Sequence, residues 1–183
     1  MALRLAALFF DLGDTLMIEA SEVKNAEETT LYADLIPGMA EALRHFKTQG
    51  RRLALVADSR PDTPTNVLRQ HHLLELFETL AISEVVGATK PDPVIFRVAL
   101  DALNISTKDY GRVAMVGNNL ERDVVGANRL GLISVFLHWN ERRRTQPLTA
   151  EEQPRYTVHS AQELITLIEE LEMQYEKQNE AIK

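Results

Sequence analysis

The run Leu5-Ala6-Ala7-Leu8-Phe9-Phe10 is apolar at every position and stops abruptly at Asp11. A strand with one face in water alternates apolar and polar residues. An unbroken run instead implies a strand covered on both faces, as in a parallel sheet. Further strands are expected at Leu53–Val56, Leu80–Ile82, Arg112–Val116 and Ile133–Leu137. The stretches between them carry helical periodicity. Met39, Leu43 and Phe46 share one face of a helix starting near Pro37 and closing before Gly50. Thr63-Pro64 opens a second helix, Pro93 to Leu103 forms a third with Phe96, Leu100 and Leu103 on one stripe, and Glu121 to Leu130 forms a fourth, ended by Gly131. Proline near a helix start and glycine just past its end follow the asymmetry of helix termini. Strands alternating with helices predict an α/β fold, a doubly wound Rossmann-like parallel sheet of about five strands.

At 183 residues the chain is long enough for one domain, taking about 150 residues for each. Residues 1–140 are expected to form the α/β core, with a short polar, acidic insert at about 17–36. Residues 141–183 supply the Arg142-Arg143-Arg144 loop and a final helix. That helix begins at Ser160, which forms a capping-box pattern with Glu163. Leu164, Ile168, Leu171 and Tyr175 recur along it at spacings that make one apolar stripe. The expected use of that stripe is docking on the core, with a homodimer seam as the alternative. The arginine run reads as a solvated loop, or alternatively as a segment lying over the sheet edge where it attracts an anionic substrate.

Charge narrows the partners. Twenty basic against 27 acidic residues leave a net charge of −7, which disfavours nucleic acid as a general partner. With no cysteine there is no disulfide, thiolate metal site or cysteine nucleophile. Leu5 to Phe10 falls far short of the about 20 residues of a membrane span and lacks a cleavage site, so no membrane partner and a cytoplasmic location are expected.

In a doubly wound sheet, ligands sit beyond the carboxyl ends of the strands, where strand order reverses. The residues following the apolar runs are Asp11, Gly13 and Asp14; then Ala57, Asp58 and Ser59; then Lys90; then Gly117, Asn118, Asn119 and Asp123. Carboxylates and one lysine converging on one edge suit a hard cation together with an anionic ligand. The chain contains no G-x-S-x-G elbow, H-E-x-x-H pair, Walker A loop or G-x-G-x-x-G turn.

The segments FFDLGDTL at 9–16, LIPGMAEAL at 35–43, LALVADS at 53–59, GATKPDPVIF at 87–96 and AMVGNNLERDVVGANRLGL at 114–132 together resemble the haloacid dehalogenase superfamily of hydrolases, over roughly residues 3–137. The resemblance implies a Mg²⁺-dependent phosphatase acting on a phosphorylated substrate. It implies Asp11 as nucleophile and metal ligand, the Gly13 carbonyl, Asn118 and Asp123 as further metal ligands, and Lys90 as the cation that restrains the nucleophile and the transferred phosphoryl group.

Three positions depart from the family pattern. The family's phosphatases carry a second Asp two residues after the nucleophile, to protonate the leaving group; here that position is Gly13, and a carboxylate follows at Asp14 as a candidate catalytic substitute. The second motif usually ends in Ser or Thr; here the place is Ala57, with Ser59 two residues on as a candidate substitute. Asn118 replaces an Asp, keeping an oxygen ligand while removing a charge. The alternative to a working phosphatase is therefore a catalytically weak or inactive relative that binds or regulates. The dehalogenase branch also lacks the second Asp, because a halide leaves without a proton, but GNNLERD has phosphatase-like length. The intervals Thr15–Pro37 and Ser59–Lys90 leave no room for a large cap domain, so water exclusion falls to the substrate, a partner subunit or the arginine loop.

Overall fold

The computed structural model describes residues 4–181; the outermost positions of the expected segments, 1–3 and 182–183, lie outside the described residues. The strands are β1 (Ala7–Phe10), β2 (Val23–Lys24), β3 (Thr30–Tyr32), β4 (Leu53–Ala57), β5 (Phe77–Ile82), β6 (Val113–Gly117), β7 (Ile133–Leu137) and β8 (Tyr156–Val158). The helices are α1 (Met39–Thr48), α2 (Asp62–Gln70), α3 (Ser83–Val86), α4 (Pro93–Ala102), α5 (Val125–Leu130) and α6 (Ala161–Ala181). Six strands form one sheet in the order β5-β4-β1-β6-β7-β8, every neighbouring pair parallel, and β2 and β3 make a separate antiparallel pair.

The side-chain alternation of β1 explains its unbroken apolar run. Leu8 and Phe10 point into a core built with Met39, Leu43 and Phe46 of α1, Val67 and Leu68 of α2, and Leu164, Ile168 and Leu171 of α6. Ala7 and Phe9 point the other way, into a core with Ile95, Phe96, Ala99 and Leu100 of α4 and Ala127 of α5. With helices on both faces, no position of the strand reaches water, and a polar residue anywhere in it would be buried without a partner. Fully burying each of the two phenylalanines contributes about 1.5–3 kcal/mol.

The sheet differs from the expected five strands by one. β8 was hidden because Tyr156-Thr157-Val158 is short and lies on the sheet edge, with Thr157 exposed. The fourth helix also differs from a plain α-helix. Leu120–Val124 form a wider turn of π type before α5 begins, and the Asn119 side chain accepts from the amides of Glu121 and Arg122 at 3.0 and 3.2 Å.

The insert at 17–36 contains a short 3-10 turn, Glu19–Ser21, and the β2–β3 pair, whose polar composition gave no strand signal. The α6 stripe is consumed within the chain: Leu164, Ile168 and Leu171 are buried against the core, and the Tyr175 hydroxyl donates to the Gly111 carbonyl at 3.1 Å. At the start of α6, Ser160 Oγ accepts from the Glu163 amide at 3.2 Å while Glu163 reaches back to the His159 amide at 2.8 Å. Among the described residues no helix is long and apolar enough to cross a membrane.

Candidate functional site

The strand order reverses at β1: the chain runs outward to β4 and β5 on one side and to β6, β7 and β8 on the other. Beyond the carboxyl ends of these strands lies a cleft of about 550 Å³. Asp11, Gly13, Ser59, Lys90, Asn118 and Asp123 all line it. Six of the seven expected site residues therefore meet in one place, although they come from four separate stretches of chain.

Asp11 is positioned by the sheet itself. Its amide donates to the Val116 carbonyl of β6 at 3.0 Å, so the residue stands at the end of the ladder with its side chain free to leave it. Thr15 Oγ1 donates to Asp11 Oδ2 at 3.3 Å. The other carboxylate oxygen, Oδ1, receives Lys90 Nζ at 2.5 Å. Lys90 Nζ also lies 2.7 Å from Asp123 Oδ1 and donates to the Val56 carbonyl at 2.9 Å. One buried ammonium thus joins two carboxylates and the end of β4.

Asp58 fixes the lysine from behind. Its Oδ1 accepts the Lys90 amide at 3.0 Å, and its Oδ2 pairs with Arg122 at 3.3 Å. Burial alone would lower the affinity of the Lys90 amine for its proton, but the Asp11, Asp123 and Asp58 carboxylates outweigh burial and hold it well above the usual lysine value. Asp123 is subject to the opposite balance. Burial pushes its carboxyl up, Lys90 pulls it back, and the Asp11 charge adds to the rise.

Gly117 makes this arrangement sterically feasible. A Cβ there would collide with the Asp123 carboxylate, which folds back under the end of β6 and accepts the Asn119 amide at 3.0 Å. Next to it, Asn118 is buried, and its Oδ1 has no hydrogen-bond partner. Buried polar atoms rarely remain bare unless a ligand completes them. An orphaned amide oxygen beside two carboxylates is a donor set that suits a hard cation. Among the described residues no group of three His, Cys, Asp or Glu side chains gathers into a metal cage. The cleft instead brings together the Asp11 and Asp123 carboxylates and the Asn118 amide oxygen.

Asp14 is the residue the structure takes away from the cleft. Its backbone is left-handed at φ +49°, and its side chain is fully buried. Oδ1 accepts the Glu19 amide at 3.1 Å, and Oδ2 pairs with Arg142 at 3.0 Å. Trp139 Nε1 donates to the Asp14 carbonyl at 2.8 Å. The expectation that Asp14 stands in for the missing acid is therefore corrected. Adjacent loop residues point in different directions, and this one points into the protein, where it pins the loop after β7.

Ser59 lines the cleft, but its hydroxyl donates to the Arg60 carbonyl at 3.2 Å. Ala57, fully buried at the end of β4, offers no hydroxyl there.

The arginine run lies over the sheet edge. This corrects the reading of a solvated loop. Arg142 pairs with Asp14 and Glu19, Arg143 with Glu19 at 2.6 Å, and Arg144 with Glu121 at 2.7 Å and Glu152 at 2.5 Å. Two residues absent from the expected site line the cleft from this side, Glu19 and Arg143. Their one sequence signal was composition: an acidic insert and a basic triplet, far apart in the chain and of opposite sign. Glu22, Lys24 and Thr30 of the β2–β3 region add a further wall, so the short insert borders the site without covering it.

The same fold recurs in known proteins. The magnesium-bound HAD-hydrolase YfnB from Bacillus subtilis superposes with a TM-score of 0.74 at 16% identity, covering 91% of this chain and 99% of that chain. A HAD phosphatase from Thermococcus onnurineus superposes with a TM-score of 0.72 at 17% identity, covering 91% of this chain and 98% of that chain. At such identities the likeness is one of fold. By sequence, the chain is 27% identical over 138 residues to glyceraldehyde 3-phosphate phosphatase of Pyrococcus furiosus, covering 75% of this chain and 56% of that one. It is 36% identical over 107 residues to phosphoserine phosphatase of Thermus thermophilus, covering 58% of this chain and 40% of that one. The chain spans about half the length of the curated relatives it matches. The family model of haloacid dehalogenase-like hydrolases matches residues 14–131, more than half of the sequence, and the chain belongs to that family.

Proposed function

We propose that this protein is a Mg²⁺-dependent phosphatase that hydrolyses a phosphate monoester through an aspartyl-phosphate on Asp11. The observation that carries the reading is the buried Lys90 ammonium, 2.5 Å from Asp11 and 2.7 Å from Asp123, at the mouth of an otherwise parallel sheet. A carboxylate held this way is oriented for attack. The ammonium also places a fixed positive charge where the phosphoryl oxygens gather charge in the transition state.

In the first half of the reaction a carboxylate oxygen of Asp11 bonds to phosphorus and the ester oxygen leaves. Thr15 and Lys90 hold the Asp11 side chain in line. In the second half water attacks the same phosphorus and frees Asp11. A magnesium ion held by Asp11, Asp123, the Asn118 amide oxygen and the Gly13 carbonyl would supply charge neutralisation for the phosphoryl group.

The test is hydrolysis of p-nitrophenyl phosphate with and without Mg²⁺. Wild type is expected to be active only with the metal, and Asp11→Asn is expected to lose on the order of 10⁴-fold or more. Equal rates for the two proteins would refute the reading.

A second reading, a relative that binds a phosphoryl group with little turnover, is favoured by Asp14 being turned inward and by the Ala57 methyl standing where the family has a hydroxyl. Beryllofluoride with Mg²⁺ separates the two readings when combined with the assay. A raised melting temperature without hydrolysis marks the binding protein, because ligand binding stabilises the folded state by mass action.

A further inference from the structure

We propose that Glu19, reaching in from the short insert, occupies the space of the side chain missing at Gly13 and accepts the proton of the attacking water in the second half of the reaction. The inference rests on the phosphatase reading above. A Cβ on Gly13 would collide with the Glu19 carboxylate oxygen and lie only 2.9 Å from Glu19 Cγ. The space beside the residue two positions after Asp11 is therefore filled by another carboxylate rather than empty. Glycine at 13 and glutamate at 19 form a matched pair, since any side chain at 13 would displace Glu19.

Of the other carboxylates lining the cleft, Asp11, Asp58, Asp123 and Glu22 have roles or partners of their own. Asp11 is the attacking group. Asp123 is bound to Lys90 and the Asn119 amide, and Asp58 to the Lys90 amide and Arg122. Glu22 accepts from Thr30 and pairs with Lys24.

Glu19 is held by Arg143 at 2.6 Å and by Arg142 at 3.3 Å, yet its side chain keeps 23% of its exposure. It is thus fixed in direction and still open to water. Arg142 spans to Asp14 as well, so the inward-facing Asp14 anchors the arginine that aims Glu19. In the second half-reaction the water oxygen bonds to phosphorus as its O–H bond breaks. The proton passes to a Glu19 carboxylate oxygen, and the bond between phosphorus and Asp11 breaks, returning Asp11 to its carboxylate form with inorganic phosphate as product. Glu19 then releases its proton to solvent. The leaving oxygen of the first half takes its proton from water, so esters with good leaving groups are the preferred substrate class.

Four variants test this: Glu19→Gln, Gly13→Asp, the double variant Gly13→Asp/Glu19→Ala, and Asp11→Asn as reference. With p-nitrophenyl phosphate and Mg²⁺, Glu19→Gln should keep a rapid first burst of p-nitrophenol. Its steady state should then slow by about 10²-fold, and phosphate trapped on the protein by acid quench should accumulate. Gly13→Asp alone should lower the melting temperature and the turnover, because two side chains compete for one space. Removing Glu19 in the double variant should recover both, with the two substitutions far from additive.

Turnover in Glu19→Gln within about threefold of wild type, alongside a dead Asp11→Asn, would overturn the inference and leave the phosphatase reading intact. Additive melting shifts in the double variant would overturn it as well. Asp11→Asn as active as wild type would instead remove the phosphatase reading and this inference together.

Discussion

On its β4 and β6 sides the tip of β1 meets Lys90, Asp123 and Asn118, all buried; on the side of the loop after β7 it meets Glu19, Arg142 and Arg143, all partly in water. The first corner consists of groups that depend on one another. A buried charge that loses its partner leaves an uncompensated charge, at a cost of about 3–5 kcal/mol. Each residue there therefore constrains the next: Gly117 makes room for Asp123, Asp123 balances Lys90, and Asp58 positions Lys90. Apart from the buried Asp14, the second corner is built from ion pairs with exposed members, each worth about 0–1 kcal/mol. Such pairs can be rearranged without unfolding the domain. All of the Asp-to-Gly exchange at 13, the turned Asp14 and the insertion of Glu19 lie in that second corner. The buried corner keeps its ion pairs, and its two departures, Ala57 and Asn118, each change one side chain in place.

The comparison can be broken most forcefully at Lys90. Replacement by Met should leave Asp11 and Asp123 facing each other without a cation. Loss of stability of about 3–5 kcal/mol is expected, measured by urea denaturation, along with loss of hydrolysis of about 10³-fold. A stable, active Lys90→Met protein would mean that the buried corner is no more interdependent than the exposed one.

Gly117→Ala probes the same corner by sterics. Its Cβ would push Asp123 out from beneath β6, and misplacing a site group by about 1 Å can cost about 10²-fold in rate. Stability in this variant should change less than in Lys90→Met.

Asp14→Asn sharpens the contrast from the other side. Weakening the Arg142 contact and the acceptor for the Glu19 amide should cost about 1–3 kcal/mol of stability, as for an unsatisfied buried polar group. Turnover of the folded protein should fall by less than the about 10²-fold expected for Glu19→Gln, since the side chain does not reach the cleft and acts only through Arg142 and the Glu19 amide. A much larger fall in turnover at unchanged stability would return Asp14 to the chemistry.

The smallest effect concerns the outer end of the arginine loop. The Arg144 guanidinium, followed by the Leu148 amide, holds the Glu152 carboxyl down to about 2 from its ordinary 4.5. A depressed carboxyl favours the folded form fully above the ordinary value, and that contribution fades as pH falls from 4.5 toward 2. Protection of the 138–154 amides from hydrogen exchange should therefore weaken across that interval, earlier than at the β1 core. Equal protection at pH 5 and pH 3 would show that the pairing does not tie the loop down.

Much of this is legible in the amino-acid order. Leu5–Phe10 ends in Asp11 because a strand covered on both faces tolerates no polar residue until it leaves the sheet, so both the central strand and the first site residue follow from one pattern. Asn118 and Asp123 follow from the same rule applied to the end of β6, whereas Lys90 stands beyond α3, eight residues past β5. β8 and the β2–β3 pair left no pattern, since short edge strands and hairpins with exposed faces lack both an apolar run and clean alternation.

Glu19 and Arg143 could not be found by strand-end reasoning at all. They stand 124 positions apart and meet only because the loop after β7 folds back over β1.

The amino-acid order alone determined the layers, the parallel sheet and the edge at which the chemistry gathers, because burial on two faces leaves its mark residue by residue. Tertiary structure alone decided which carboxylate faces the cleft. A left-handed turn at residue 14 sends one acid inward, and the absence of a Cβ at residue 13 admits another from the insert. Side-chain direction in a loop depends on backbone angles and on distant partners, and neither is encoded in local spacing.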